Sequence, residues 1–318
     1  MQKKCFWQKQ KKLKENKKRE VDILVIGAGP GGMSAAQYAA RAGYSTLVLD
    51  PMGPGGQLLY IDEIENYPGL GKTSGYVLSE AMENQCKEFG VEIEYDEATK
   101  IEKKENRFLV TSSYSEIEAK AVILATGASH RHIGAKGEEE YSGKGVSYCA
   151  TCDGPFFRGQ KVVVVGGGDT ALTDAIYLSK LCKDVVVIHR REAFRAQKAL
   201  QEKIKAIPNI STVMGRNVVE IKGNGTKVES VVLDDGKEIE TNGVFVFVGT
   251  VPNSKIVEGL VETDNGFVLT DEKMNTTLSG LYAVGDVRNT SFRQVVTATG
   301  DGAKAAHSAD EYIQENNL

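Results

Sequence analysis

Two stretches of this chain repeat one design. An apolar run, Val21 to Ile26, leads into Gly27-Ala28-Gly29-Pro30-Gly31-Gly32, then a small-residue helical segment, Ser34 to Ala42, then a second apolar run, Thr46 to Asp50. Farther along, Lys161 to Val165 leads into Gly166-Gly167-Gly168-Asp169-Thr170-Ala171, a helical pattern reaching about Leu181, and the run Val185 to Ile188. Gly27 to Asp50 is 23 positions, and Gly166 to His189 is also 23. A lone Gly-x-Gly-x-x-Gly is often a glycine turn and no more. Two copies in strand-helix-strand context with equal spacing specify two dinucleotide-binding units. The expected fold class is α/β with two Rossmann-like nucleotide-binding domains.

The mechanics assign the residues. In the first unit Gly27 permits the tight turn, Gly29 lets backbone approach a pyrophosphate, and Gly32 lets the helix close on the strand. The phosphates are expected at the helix N-terminus, where N–H groups and the dipole favour anions, with Asp50 on the ribose hydroxyls. In the second unit that acid is replaced by His189-Arg190-Arg191. An acid selects a free 2′-hydroxyl whereas arginine accommodates a 2′-phosphate, so NADPH is expected there in preference to NADH. Each unit ends in a further strand running into glycine, at Ile123-Leu124-Ala125-Thr126-Gly127 and at Phe245 to Gly249. After Pro252 and Asn253 come the strand Leu281 to Val284, Gly285-Asp286 and a terminal helix from about Arg293, with no third motif. The simplest topology returns this tail to the first domain. The expected division is 21–130 plus 256–318 for the first domain and 131–255 for an inserted second one, with two short connections that permit hinge rotation.

Composition narrows the classes. Gly is 34 against Pro at 7, and hydrophobic residues make up 41%, which excludes disordered and collagen-like chains. No apolar run approaches the roughly 20 residues of a membrane span, so a soluble protein is expected. Residues 1–20 carry nine Lys or Arg and two Glu, about +7, which leaves about −11 on the remainder of a chain with formal charge −4. This arm reads as a solvated disordered tail without the apolar centre of a secretory signal. An acidic body without a helix-turn-helix signal weighs against nucleic acid as a partner. Five cysteines stand at 5, 86, 149, 152 and 182, an odd, sparse set that points to a reducing, cytoplasmic setting. Only Cys149 and Cys152 have C-x-x-C spacing. A helix N-terminus at such a pair lowers thiol pKa and suits redox chemistry. Half of a zinc site is the other reading, but no second C-x-x-C or H-x₃₋₅-H occurs, and no metal is expected. Asp153 is placed to manage the proton of dithiol chemistry or to cap a helix. Cys86 and Cys182 read as buried packing residues.

Two nucleotide units bracketing a C-x-x-C give the chain its resemblance. Over essentially all of residues 20–318 it resembles the low-molecular-weight, bacterial-type thioredoxin reductases. The motifs that carry the resemblance are Gly27-x-Gly29-Pro30-Gly31-Gly32, Gly55-Gly56-Gln57-Leu58, Glu65-Asn66-Tyr67-Pro68-Gly69, Ala125-Thr126-Gly127 and Cys149-Ala-Thr-Cys152-Asp153-Gly154. His189-Arg190-Arg191-x-x-Phe194-Arg195, Gly285-Asp286 and Arg293-Gln294 complete the set. The resemblance implies FAD in the first domain, with Gly27, Gly29, Pro30 and Gly32 at its pyrophosphate and Asp50 at the ribose. It implies Gly55, Gly56, Gln57 and Asn66 on the flavin side, Thr126 and Gly127 at the closing turn, Asp286 at the ribitol, and Arg293, Gln294 and Val295 beside the isoalloxazine. It implies NADPH in the inserted domain, with Gly166, Gly168, Asp169, Thr170 and Ala171 at the pyrophosphate and Arg190, Arg191 and Arg195 at the 2′-phosphate, His189 beside them. Hydride would pass from NADPH to flavin, then electrons to the Cys149–Cys152 disulfide and on to oxidised thioredoxin by thiol exchange. A homodimer is implied by resemblance alone. The family commonly carries acids where Thr173 and Asp174 stand, so this helix face departs in detail. Phe156 and Phe157 read equally as a thioredoxin contact or as core, and the basic arm lies outside the resemblance.

Three enzyme alternatives share parts of the pattern. A peroxiredoxin-directed reductase of the alkyl hydroperoxide type would carry extra N-terminal domains. A glutathione-reductase-type enzyme would place its cysteines soon after the first Gly motif. A ferredoxin-driven flavin thioredoxin reductase would have degenerated NADPH motifs, whereas Gly166 to Ala171 and the arginine cluster are intact here.

Overall fold

The structure is a computed structural model that describes residues 17–61 and 63–318. The chain divides into two units, residues up to Ala128 together with Pro252–Leu318, and Ser129–Val251. The crossings fall a few residues before those read from the sequence. The basic arm lies outside the described residues except for its last four, which are strand.

The first unit starts with β1 (Lys17–Ile26), α1 (Pro30–Arg41), β2 (Thr46–Leu49), a 3₁₀ turn at Gly56–Tyr60, α2 (Gly75–Glu88) and β3 (Glu92–Glu94). It continues through β4 (Ala98–Lys104), β5 (Arg107–Ser112) and β6 (Ser115–Leu124). β1 begins four residues earlier than its apolar run because Lys17 to Glu20 pair with Ser115 to Glu118. Arg19 fastens this extension with ion pairs to Glu92 (2.7 Å) and Glu94 (2.6 Å) on β3. Ser74 caps α2 by accepting from the Val77 N–H, which holds one of the donors that every helix start leaves unpaired.

A short β7 (Ala128–His130) carries the chain across into the second unit: β8 (Val146–Ser147), α3 (Ala150–Asp153), β9 (Lys161–Gly166), α4 (Asp169–Ser179), β10 (Asp184–His189), α5 (Lys198–Lys205) and β11 (Ile210–Met214). Then come β12 (Val218–Gly223), β13 (Val228–Leu233), β14 (Glu238–Glu240) and β15 (Gly243–Phe247). The chain returns through β16 (Thr250–Pro252), which pairs with β7. β17 (Thr263–Asp264), β18 (Phe267–Val268), β19 (Leu281–Ala283) and α6 (Val295–Glu315) complete the first unit. α6 starts two residues after Arg293, and Gln294 is its N-cap, in a reciprocal capping box with Thr297.

The two parallel sheets have the same order. In the first unit it is β3-β2-β1-β6, with β19 beside the second half of β6 and an antiparallel β4-β5 meander on its first half. In the second it is β11-β10-β9-β15-β8, all parallel. Strands covered on both faces read as continuous apolar runs, and Val162 to Val164 and Leu24 to Val25 are fully buried. In such sheets ligands bind beyond the strand C-termini where strand order reverses. Those places are the β1/β6 and β9/β15 ends, occupied by Gly27 with Ala125–Gly127 and by Gly166 with Gly249. Among the described residues no helix is long and apolar enough to cross a membrane.

Candidate active site

In the first unit the glycines divide by what surrounds them. A Cβ on Gly27, whose φ of +108° L-residues rarely adopt, would lie 2.3 Å from the Ala125 carbonyl oxygen, and one on Gly32 would lie 1.9 Å from the Gly27 oxygen. These two hold α1 against the strands. A Cβ on Gly29, the N-cap of α1, would meet nothing within 4 Å among the described residues. Gly29 therefore opens a space at a helix N-terminus that protein leaves unfilled, as a pyrophosphate cradle requires. Pro30 occupies the first helical position, where its missing N–H is not needed. Close packing continues on the far side of the helix, where a Cβ on Gly302 of α6 would sit 2.2 Å from the Gly31 oxygen.

Asp50, expected at the ribose, is engaged with backbone. Its carboxylate accepts from the Ala28 N–H (2.8 Å) and from the Met52 and Gly53 N–H groups (2.8 and 3.0 Å). It thus fixes the glycine turn as well as standing at its rim, with one of about four lone-pair sites left over. The next loop folds back onto the same turn: the Gly55 N–H donates to Ala28 O (2.9 Å), and a Cβ on Gly56 would touch Gly29 Cα at 3.2 Å. Gln57 donates through Nε2 to Ala128 O (2.6 Å), and Asn66 Nδ2 donates to Gln294 Oε1 (3.0 Å). The Thr126 hydroxyl donates to Asn253 O (2.7 Å), and the Asn253 N–H donates to Gly127 O (3.0 Å). Asp286 sits in a 3₁₀ turn at Gly285–Val287, where burial pushes its carboxyl pKa up against the opposing pull of Arg293. The Arg293 guanidinium lies 4.5 Å over the Phe267 ring, and its buried Nε has no hydrogen-bond partner among the described residues. Val295 opens α6 directly behind it. Sequence reasoning missed Asp301, whose carboxylate accepts from the Gly285 N–H (3.2 Å) and from Arg288 (3.1 Å) and so steadies the Asp286 turn.

The second unit repeats the division. A Cβ on Gly166 would lie 2.4 Å from Phe247 O, and one on Gly167 would lie 2.3 Å from His189 Nδ1, but one on Gly168, the N-cap of α4, would meet nothing within 4 Å. Ala171 is fully buried at the position of Gly32, and Thr170 is exposed. Asp169, expected at the pyrophosphate, turns both oxygens to Gln197. His189 ends β10, 5% exposed, and its Nε2 has no hydrogen-bond partner among the described residues. Burial, then Arg195, then Arg190 and Arg191 hold its pKa below the usual imidazole value. The three arginines are exposed and make no ion pair among the described residues. Three cations beside an open helix N-terminus suit a doubly charged phosphate.

Cys149 and Cys152 form a disulfide, with Cα atoms 5.3 Å apart, across the N-terminal turn of α3. Cys149 is the N-cap; its sulfur accepts from the Cys152 N–H (3.2 Å), and its own N–H donates to the Ser147 hydroxyl (3.1 Å). Asp153 closes this turn, its N–H donating to Cys149 O (3.1 Å). Gly154 then lets the segment lie on α4, since a Cβ there would be 2.9 Å from Leu178. Phe157 packs edge-on against Phe245 (5.3 Å) in the core, whereas Phe156 is 40% exposed. Phe157 thus takes the core role, and Phe156 stays at the surface. Cys86 and Cys182 are buried, which pushes their thiols up to about 12 and about 11 and keeps them unreactive.

A network next to Cys149 was also missed. The Tyr148 hydroxyl donates to Glu138 Oε1 (3.0 Å) and lies 3.0 Å from His132 Nδ1, and its ring stacks on His130 at 4.9 Å. Glu138, 1% exposed, also accepts from the Ile133 and Gly134 N–H groups (3.1 and 2.8 Å). Since the phenol's one proton goes to Glu138, His132 Nδ1 must donate to the phenol oxygen. Tyr148 precedes Cys149 and could have been singled out, but nothing in the sequence pairs it with Glu138. Among the described residues no group of three or more His, Cys, Asp or Glu side chains could hold a metal ion.

Comparison with known proteins agrees with this geometry. The family model described as pyridine nucleotide-disulphide oxidoreductase matches residues 21–302. A thioredoxin reductase of Treponema pallidum is 47% identical over 92% of this chain and 97% of its own length, and one of Bacillus subtilis is 42% identical over 92% and 95%. Among solved structures, the thioredoxin reductase from Streptococcus pyogenes superposes with a TM-score of 0.90 at 42% identity, covering 93% of this chain and 99% of that one. The chain belongs to the pyridine nucleotide-disulphide oxidoreductase family, and within it to the thioredoxin reductases.

Proposed function

We propose that the protein is an NADPH-dependent, FAD-containing thioredoxin reductase. The observation that carries the reading is a disulfide, Cys149–Cys152, in the same unit as a dinucleotide turn flanked by three exposed arginines that make no ion pair among the described residues. FAD in the first unit and the nicotinamide in the second would supply two-electron transfer to that disulfide. Gly29 and Gly168 open the two anion cradles, and Arg190, Arg191 and Arg195 read the 2′-phosphate. Two electrons and two protons convert Cys149–Cys152 to a dithiol. One thiolate then attacks a disulfide of oxidised thioredoxin, forming a mixed disulfide and releasing one partner thiolate. The second cysteine thiolate displaces the other partner sulfur, which restores Cys149–Cys152 and yields reduced thioredoxin. Asp153, one residue past the pair, is placed to exchange the proton. Exposed Phe156 supplies an apolar contact beside the pair for the partner protein. The resemblance also implies a homodimer, which sedimentation would test.

The test is NADPH oxidation by purified holoprotein, with and without oxidised thioredoxin, repeated with NADH. Turnover that requires thioredoxin and prefers NADPH is expected. Flavin that stays oxidised under NADPH but is reduced by ferredoxin would overturn the assigned electron donor.

A further inference from the structure

The loop that carries the three arginines is fastened at both ends. At its start the His189 ring lies against Gly167, stacks on Phe194 (5.6 Å, 21°), and its carbonyl accepts from the Arg216 N–H (3.2 Å). Arg191 O accepts from the Gly215 N–H (3.1 Å). At its end three consecutive N–H groups face the glycine turn. Those of Arg195 and Ala196 donate to Gly167 O (2.8 and 3.2 Å), and that of Gln197 donates to Asp169 Oδ1 (2.7 Å). The Gln197 side chain adds a bond from Nε2 to Asp169 Oδ2 (3.3 Å).

Asp169 occupies the first position of α4, where its charge suits the helix dipole but would repel a diphosphate. Both its oxygens are engaged with Gln197, two residues beyond Arg195. We infer that Asp169 is a positioning residue for 2′-phosphate selectivity: it ties the far end of the arginine loop to the dinucleotide turn, so that Arg190, Arg191 and Arg195 are presented together. The inference rests on the NADPH reading above and deepens it. Cofactor choice is then set by a residue that does not touch the group being chosen.

The experiment titrates oxidised holoprotein by calorimetry with two probes. One is 2′,5′-ADP, which carries the 2′-phosphate without a pyrophosphate, and the other is 5′-ADP, which carries the pyrophosphate without a 2′-phosphate. Asp169→Ala should weaken 2′,5′-ADP binding about tenfold, as expected for a loosened set of charge-assisted contacts, and 5′-ADP by less than about twofold. Asp169→Asn keeps an amide oxygen for the Gln197 N–H and should recover most of the loss; retained 5′-ADP binding shows that the variants are folded. Weakening of 5′-ADP as great as, or greater than, that of 2′,5′-ADP would show that Asp169 does not act through the 2′-phosphate and overturn the inference, as would no weakening of either. A third titration, of the unmodified protein with 5′-AMP, tests the NADPH reading itself, which is overturned if 2′,5′-ADP binds no more tightly than 5′-AMP.

Discussion

Replacing Gly32 by alanine tests the physical division among the glycines of the first motif. The added Cβ would lie 1.9 Å from the Gly27 oxygen and 3.0 Å from Ala125 Cβ, about 1.1 Å inside the closest approach real Cβ atoms make. The atom it meets is backbone in a turn clamped by Asp50 and Leu49, so no side chain can swing away. Relief requires α1 to move off β1, but α1 is held on its other face by the close Gly31–Gly302 crossing with α6. Overpacking typically costs about 1–3 kcal/mol, and a backbone-to-backbone clash belongs at the upper end. With a urea slope of roughly 2–3 kcal/mol per molar, the midpoint for the first unit should fall by about 1 M. The assay is urea unfolding followed by release of flavin fluorescence. Gly29→Ala is the matched control, because its Cβ meets nothing within 4 Å and its φ of −71° suits alanine. Its far-UV transition should move by less than about 0.2 M while flavin affinity falls. A Gly32→Ala midpoint within about 0.3 M of the unmodified protein, with flavin retained, would refute the reasoning, as would equal destabilisation by the two variants.

Three further outcomes are expected. Burial raises the Asp174 carboxyl to about 6 from an ordinary value of 3.8, so holding it ionised in the fold costs stability that is absent below about pH 4, grows from there and is complete above about pH 6. Asp174→Asn should therefore stabilise the protein at pH 7–8 by up to about 3 kcal/mol, a gain that disappears as denaturation is repeated toward pH 4; a pH-independent gain would contradict this account. Beginning the chain at Val21 removes the Lys17–Glu20 ladder and both Arg19 ion pairs, and should cost about 1–2 kcal/mol in urea unfolding. Cys152→Ser should retain flavin absorbance but lose thioredoxin reduction by at least about a thousandfold, and loss of the flavin together with the activity would undo the separation of roles.

The parts of this molecule that were legible in the sequence are those in which one residue type answers one local demand. The glycines of both turns and the C-x-x-C pair each declare a constraint that no other residue meets equally well. What escaped depends on partners distant in the chain. The β4-β5 meander carries no dinucleotide motif and pairs in alternating burial, with Phe108 and Val110 inward, a weaker signal than the continuous valine runs. Lys17 to Glu20 looked like charged tail because strand pairing with Ser115 to Glu118 leaves no trace in a run of lysines. Asp169 was assigned by position to the pyrophosphate, yet its orientation is decided by Gln197, 28 residues away. The Tyr148–Glu138–His132 network is likewise assembled by the turn before β8.

The paired crossing strands give the chain a property of a different kind. It leaves the first unit and re-enters it at adjacent points: the Asn253 N–H meets Gly127 O at 3.0 Å, and the Arg131 N–H meets Gly249 O at 3.0 Å. In genetic terms the intervening stretch is a cassette whose ends already touch. A gene that loses it needs only a tight turn to reconnect Gly127 to Asn253, and a gene that gains another cassette with adjacent ends can accept it without redrawing the host sheet. β19 and α6, encoded after the cassette, still belong to the host unit.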